Sequence, residues 1–309
     1  MLNRRSLLSM APALLPLPIN AQARRLGRLV IIGGAEDRLQ DRVILRRFVD
    51  LCGGPASRIR VLSAASSDPN LAWLGYQSVF AELGVDDCQP IPIPDREAAN
   101  AVSVVDLILE ADGIFLSGGD QRRLMDLIWE TEVFRALHVA FHVRGCCMAG
   151  TSAGAAVLSR NMLAYGGATK LPEKDAAQLD IGLGLISNAI IDQHFSERGR
   201  LGRLLSVLAE RPSLLGVGVD EDTALIVERG VGIEIIGRGA VTIVDGRNML
   251  SNYESIDAQE RLELLGVGLH VLPSGNSYRL TPRGRNSKRF PASLAQAISL
   301  LVEPGPIRG

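Results

Sequence analysis

Cys146-Cys147-Met148-Ala149-Gly150-Thr151-Ser152-Ala153-Gly154 decides the reading of this chain. An apolar strand, Cys146 to Ala149, runs directly into a turn of small residues that opens a helix. Gly150-x-Ser152-x-Gly154 between a strand and a helix is the nucleophile-elbow pattern. The reason is steric. The chain reverses sharply, small neighbours let it pack, and the residue at the bend projects its hydroxyl into the cleft. The following helix aims N–H groups at the same point, so the Ala153 N–H is placed to hold an oxyanion. A glycine-rich helix cap is the plainer reading of the same five residues.

The pattern around this stretch sets the fold class. Upstream, strands are expected at Leu29–Ile32, Ile59–Ser63, Cys88–Ile93 and Gly113–Leu116. They alternate with helical segments at Asp41–Leu51, Asn70–Leu83, Ala101–Glu110 and Arg122–His142. Two prolines confine Cys88–Ile93 to an edge. Strands alternating with helices predict right-handed crossovers and a mostly parallel sheet covered on both faces. Ligands bind beyond the carboxyl ends of such strands. Three loops lie there: Gly33-Gly34-Ala35-Glu36-Asp37, Gly118-Gly119-Asp120-Gln121 and the Ser152 turn. Downstream, Asn161 to Asp180 reads as a polar loop, Ala189–Asp192 as a strand and Arg200–Glu210 as a helix. The remainder is strand-rich: Val217–Val219, Ala224–Val227, Gly232–Ile236, Val241–Val244 and Leu264–Leu272. This end is expected to extend or flank the sheet. A basic, loop-like tail runs from Pro282 to Lys288.

The chain has 309 residues, 47% of them hydrophobic, which suits a large buried core in one domain from residue 24 to 309. The formal net charge is −1, so nothing in the balance points to nucleic acid. Lysine occurs only at Lys170, Lys174 and Lys288, leaving arginine to carry the positive charge. Cys52, Cys88, Cys146 and Cys147 neither form a disulfide scaffold nor offer Cys-x-x-Cys zinc spacing. Residues 1–23 read as a cleavable export signal: Arg4-Arg5-Ser6-Leu7-Leu8, an apolar run to Ile19, then Ala21-Gln22-Ala23. The paired arginines resemble a twin-arginine signal. The run is too short to span a bilayer. These features place the mature chain outside the cytoplasm, and inside it if the signal is not functional.

Serine needs a base. His138 and His142 sit four apart on a helix and read as surface or helix-packing residues. His270 lies in a late strand. His194 follows the strand ending Ile190-Ile191-Asp192-Gln193, a position like that of Ser152, and is the candidate base. Asp220-Glu221-Asp222, at the end of Val217-Gly218-Val219, supplies candidates for the orienting acid, and spacing alone leaves all three open. The order Ser, His, acid differs from that of α/β-hydrolases. Arg198, Arg200 and Arg203 follow His194 closely, and guanidiniums bind carboxylates through two parallel hydrogen bonds. A solvated basic face is the competing reading. The Gly33–Asp37 segment lacks Gly-x-Gly-x-x-Gly, so it is not a dinucleotide loop.

These residues resemble a known family. Gly150-Thr151-Ser152-Ala153-Gly154-Ala155, Gly118-Gly119-Asp120-Gln121, Asp220-Glu221-Asp222-Thr223-Ala224 and the segment Asp192-Gln193-His194-Phe195-Ser196-x-Arg198-x-Arg200-x-Gly202-Arg203 are similar to the cyanophycinases. Those are serine peptidases related to dipeptidase E, and the likeness extends from about Leu29 to Val244. It implies a class I glutamine amidotransferase-like, flavodoxin-like three-layer α/β sandwich with a mostly parallel sheet, usually a homodimer. It implies hydrolysis of cyanophycin, a poly-aspartate carrying arginine on each β-carboxyl, to β-Asp-Arg dipeptides through an acyl-enzyme on Ser152. His194 would be the base and Glu221 the triad acid. Gly119 and Ala153 would hold the oxyanion. Gln121, Asp192, Gln193, Arg198, Arg200 and Arg203 would line the substrate pocket, with Asp192 meeting the substrate guanidinium. No metal or organic cofactor is implied. An export signal is a departure from hydrolases of intracellular storage granules and suggests degradation of polymer released by other cells. Two other readings stand beside this one: an exported aspartyl or isoaspartyl dipeptidase of the same family, and a non-catalytic binding protein on the same shell.

Overall fold

The strand that carries Ser152 lies near the middle of an eight-stranded sheet among the residues that the computed structural model describes, 26–281 and 289–303. The export signal and the Pro282–Lys288 tail fall outside them. The first half of the chain alternates as its sequence predicts. β1 (Arg28–Ile32), α1 (Val43–Cys52), β2 (Arg58–Leu62), α2 (Pro69–Glu82), β3 (Asp87–Pro90), α3 (Val102–Glu110), β4 (Gly113–Leu116), α4 (Gln121–Ile128), α5 (Glu132–Val139) and β5 (Cys147–Thr151) follow in order. A single helical turn, α6 (Ala153–Ala156), leaves the Ser152 bend. β3, β2, β4, β5 and β1 lie side by side and parallel, with β3 at the edge.

Alternation along the strands builds two cores. Val30 and Ile32 of β1 face one side with Cys147 and Ala149 of β5, and α1 and α2 cover them. Phe48, Phe80 and Phe115 meet there with ring centroids 5.7–5.9 Å apart. Each fully buried phenylalanine contributes about 2–3 kcal/mol. Leu29, Ile31 and Met148 face the opposite side, against residues of α3, α5 and α6.

The downstream half both extends and flanks the sheet. β6 (Asn161–Tyr165) and β7 (Gln178–Ile181) pair as a hairpin where the sequence reads as a loop, with a bulge between Leu163 and Tyr165. β8 (Ala189–Gln193), α7 (Leu201–Glu210) and β9 (Leu215–Val219) come next. β10 (Thr223–Glu228) and β11 (Gly232–Gly237) follow, then β12 (Ala240–Asp245). The short pair β13 (Leu250–Ser251) and β14 (Leu264–Leu265) precedes β15 (Gly268–Pro273), β16 (Asn276–Arg279) and α8 (Ala292–Val302). β10, β11 and β16 join the main sheet beyond β1 as antiparallel strands. β8, β9, β12 and β15 form a second, four-stranded sheet, which α7 covers through Leu204, Val207 and Leu208. The chain passes from the second sheet to the main one across Asp220-Glu221-Asp222, between β9 and β10.

Two expected elements divide. The single helix anticipated over Arg122–His142 breaks after Ile128. Glu130 takes φ 58°, and the Thr131 hydroxyl caps a new helix by accepting from the Phe134 N–H at 3.4 Å. The strand anticipated over Leu264–Leu272 breaks at Gly266, whose φ of 78° suits glycine.

Candidate active site

Ser152 sits at the carboxyl end of β5 with φ 52° and ψ −116°. A non-glycine residue holds such a conformation only when its surroundings impose it. Its neighbours cannot be larger. A Cβ on Gly150 would stand 2.1 Å from the Gly154 carbonyl oxygen, and one on Gly154 would stand 2.2 Å from the Leu116 oxygen. The bend points the Ser152 hydroxyl at His194, whose Nε2 lies 2.9 Å from Oγ. Nδ1 of the same ring lies 2.5 Å from Glu221 Oε1. The three residues come from the ends of β5, β8 and β9, so the relay spans the line where the two sheets meet.

The three adjacent acids, open on spacing alone, separate by what they hold. Asp220 Oδ1 accepts the Ser196 N–H at 3.1 Å, and its Oδ2 accepts the Ala240 N–H at 2.9 Å. Asp222 accepts the Asp37 N–H at 2.8 Å and pairs with Arg238 at 3.1 Å. The first and third acids therefore build the turn, and the middle one is left for the imidazole.

Burial pushes the His194 imidazole below its ordinary value. Hydrogen bonding to Glu221 opposes that, and Arg198 and Arg200 add to the lowering. The ring is thus neutral at neutral pH, the state a proton acceptor requires.

The Gly118–Gln121 loop, at the end of β4, faces Ser152 from the other side. A Cβ on Gly118 would come within 3.3 Å of Ser152 Cβ. Gly119 has φ 142°, and its Cβ would stand 2.0 Å from the Ala65 oxygen, so only glycine fits. Among the described residues, neither the Gly119 N–H nor the Ala153 N–H is taken by a backbone acceptor. Gln121 donates to the Leu163 and Ala164 carbonyls at 3.1 Å each, tying this loop to β6.

The arginine cluster is organised differently from its sequence expectation. Asp192 is fully buried, and Arg203 Nε donates to its Oδ2 at 2.8 Å. Arg203 also holds Asp192 Oδ1 and the Gly166 carbonyl. Arg200 lies 3.5 Å from Asp192 Oδ1 and donates to Gln193 through its carbonyl and, at 3.0 Å, its Oε1. Burial lowers the Arg200 guanidinium to about 10, against the pull of Asp192, so it stays charged. The carboxylate that meets Arg200 and Arg203 is thus one of the protein's own, and Asp192 faces these arginines rather than a substrate guanidinium. Arg198 alone of the three is exposed, one turn of chain from His194.

Glu36 and Thr151 escaped the sequence reading as site residues. Glu36 is 5% exposed and accepts the Thr151 hydroxyl, directly beside Ser152, at 2.5 Å. Among the described residues no group of three or more His, Cys, Asp or Glu is placed to hold a metal ion, and no helix is long and apolar enough to cross a membrane.

Known proteins share this arrangement of sequence. The profile of peptidase family S51 matches residues 29–235. The cyanophycinase of Synechococcus elongatus is 38% identical over 255 residues, covering 82% of this chain and 79% of that protein. The cyanophycinase of Geminocystis herdmanii (strain PCC 6308) is 36% identical over 251 residues, covering 81% of this chain and 92% of its own. A crystal structure of a peptidase from an acI-B1 Actinobacterium superposes with a TM-score of 0.59 at 21% identity, covering 84% of this chain and 98% of that one.

Proposed function

The chain belongs to peptidase family S51 and is a serine-type peptidase, and from that premise we propose that it hydrolyses cyanophycin to β-Asp-Arg dipeptides through an acyl-enzyme on Ser152. The observation that carries the mechanism is the unbroken relay from Ser152 Oγ to His194 to Glu221, at 2.9 Å and 2.5 Å. The substrate is supported by the cyanophycinases that match most of the chain.

In this reading His194 Nε2 takes the Ser152 proton as Oγ attacks a backbone carbonyl of an aspartyl residue. Glu221 fixes the tautomer, holding the proton on Nδ1, and stabilises the imidazolium that forms. The N–H groups of Gly119 and Ala153 receive the oxyanion, a contribution of about 3–4 kcal/mol per donor in comparable sites. His194 then protonates the leaving amine and activates the water that releases the acyl group.

Arg198, exposed beside His194, is assigned to the substrate carboxylates. Gln121 and Gln193 are assigned to the walls of the pocket. Arg200 and Arg203 act there with Asp192 as a fixed, charged floor. The same reading assigns the fold to the class I glutamine amidotransferase-like, flavodoxin-like sandwich. The parallel order β3-β2-β4-β5-β1, with helices on both faces, supports it. Residues 1–23 are assigned to export, and cell fractionation that finds the uncleaved chain only in the cytosol would count against that. A homodimer is the assembly the reading expects, checked by sedimentation.

Insoluble cyanophycin incubated with the purified protein tests the substrate assignment. Release of β-Asp-Arg, measured by chromatography, is the expected result. Cleavage of aspartyl or isoaspartyl dipeptides with no release from the polymer would replace this reading with that of a dipeptidase.

A further inference from the structure

Glu36 takes no part in the chemistry above, yet its buried carboxylate bonds to the last residue of the nucleophile strand. Oε1 accepts the Tyr76 hydroxyl at 2.6 Å, and Oε2 accepts the Thr151 hydroxyl at 2.5 Å. Arg38 Nε stands 3.9 Å away. Burying a carboxylate is costly unless its oxygens are satisfied. Here two hydroxyls supply that, and one belongs to the residue that precedes the strained Ser152. Thr151 is also the last residue of β5 paired with β1, opposite Ile32, and the Ser152 N–H donates to the Ile32 carbonyl at 3.1 Å. The elbow is therefore fastened through its backbone at Ile32 and through its side chain at Glu36.

The same short segment reaches His194 and the residue that follows Glu221. The His194 N–H donates to the Gly33 carbonyl at 2.8 Å, and the Asp222 N–H donates to the Gly34 carbonyl at 2.9 Å. The Asp37 N–H returns a bond to the Asp222 carboxylate at 2.8 Å. Ser152, His194 and Asp222 have φ values of 52°, 48° and 44°. Three non-glycine residues in the left-handed region, at or beside the three relay residues, are thus all bonded to one stretch of chain. Strain of this kind persists only where the surroundings over-determine it.

We propose that Ile32–Asp37 is the positioning element of the catalytic centre, with Glu36 its positioning residue for Ser152, acting through the Thr151 hydroxyl. The proposal rests on Ser152 being the nucleophile, as assigned above. Glu36 touches neither substrate nor reacting atoms. Its loss moves the serine, and so lowers the rate of attack without weakening substrate binding.

Thr151→Val keeps the shape and removes the hydroxyl, and Thr151→Ser keeps the hydroxyl. The expected result on cyanophycin is a fall in kcat of about 10–100-fold for Thr151→Val with KM within about threefold. Thr151→Ser is expected to recover to within about threefold of wild type. If Thr151→Val does not fold, Glu36→Gln is read in its place, with the same loss expected. The rate at which a fluorophosphonate labels Ser152 gives a second readout that does not depend on the polymer. A folded Thr151→Val protein with wild-type kcat and labelling rate would overturn the proposal. So would a Thr151→Ser protein as slow as Thr151→Val. If the wild type labels at Ser152 but releases nothing from cyanophycin, the substrate assignment fails while the labelling rates still decide the positioning role. If wild-type Ser152 does not label and nothing is hydrolysed, both fall.

Discussion

An alanine at Gly34 would set a methyl carbon 2.3 Å from His194 Cε1 and 2.5 Å from Nε2. Carbon atoms settle at about 3.5 Å or more, so the ring must retreat by about 1.2 Å or the loop must move by as much. The Ser152–His194 bond has little room for that. From 2.9 Å, a lengthening of about 0.7 Å takes it out of hydrogen-bond range. A misplacement on that scale costs about 100-fold in rate, and complete loss of general-base help costs about 100–10,000-fold. The backbone adds its own penalty, because Gly34 has φ 101° and a Cβ there brings about 1–3 kcal/mol of strain.

Gly34→Ala is therefore expected to lower kcat by about 100-fold or more and to lose about 1–3 kcal/mol of stability. Gly53→Ala is the control for backbone strain. Gly53 has φ 127°, but a Cβ there meets nothing within 4 Å and lies far along the chain from the relay. It should lose comparable stability and keep its kcat. The assay is dipeptide release from cyanophycin by both variants, with denaturant melts to measure stability. A folded Gly34→Ala enzyme within threefold of wild-type kcat would refute the claim that this glycine makes room for the base.

Three further outcomes follow from the same geometry. Asp192→Asn leaves Arg200 and Arg203 buried without their carboxylate and should cost about 3–5 kcal/mol, read as a lower denaturation midpoint with an unchanged slope. A loss under about 1 kcal/mol would mean the cluster relaxes into solvent. In the pH profile of kcat/KM, activity should be present above the His194 pKa and lost as pH falls through it, at a value below 6.5 because burial and two arginines favour the neutral ring. An acid limb above 6.5 would contradict that ordering. Arg198→Ala removes one of those positive charges, so it should move the acid limb upward. It should also lower kcat/KM by about 10–100-fold through lost carboxylate binding. A downward shift of the limb would be inconsistent with the placement of Arg198.

Much of the parallel half of the fold is legible in the sequence because its signals are local. β1, β2, β4 and β5 are short, largely apolar runs closed by a glycine or polar turn, and the helices between carry their own periodicity; β3, with the polar sequence Asp87-Cys88-Gln89-Pro90, is the weakest of the five signals. α2 starts one residue ahead of the expected Asn70, at Pro69, where the Asp68 carboxylate caps it by accepting the Leu71 N–H at 2.9 Å. The second sheet is not legible in that way. β8, β9, β12 and β15 look like other apolar runs, and which sheet they join depends on pairing between distant segments. The β6–β7 hairpin is hidden by its polar, glycine-containing connection and its bulge. The break between α4 and α5 falls at Thr131-Glu132, inside a stretch whose apolar rhythm continues on either side.

The relay itself was within reach of spacing, since Ser152, His194 and the acids all end strands. Choosing Glu221 from Asp220-Glu221-Asp222 was not, because the turn bonds that occupy its neighbours come from Ser196, Ala240 and Asp37. The arginines illustrate the same limit. Their spacing puts Arg200 and Arg203 on one helix face, but Asp192, 8 and 11 residues away on β8, decides what they hold. The sequence places Glu36 in a loop at a strand end but gives it no role, since its partners Tyr76 and Thr151 lie 40 and 115 positions away.

The central claim is that the Ser152 hydroxyl attacks the aspartyl backbone. The most direct test compares wild-type and Ser152→Ala proteins, both verified as folded, for β-Asp-Arg release from cyanophycin under identical conditions. The account predicts that Ser152→Ala loses about 10,000-fold or more of the turnover. Hydrolysis by Ser152→Ala within tenfold of the wild-type rate would contradict it.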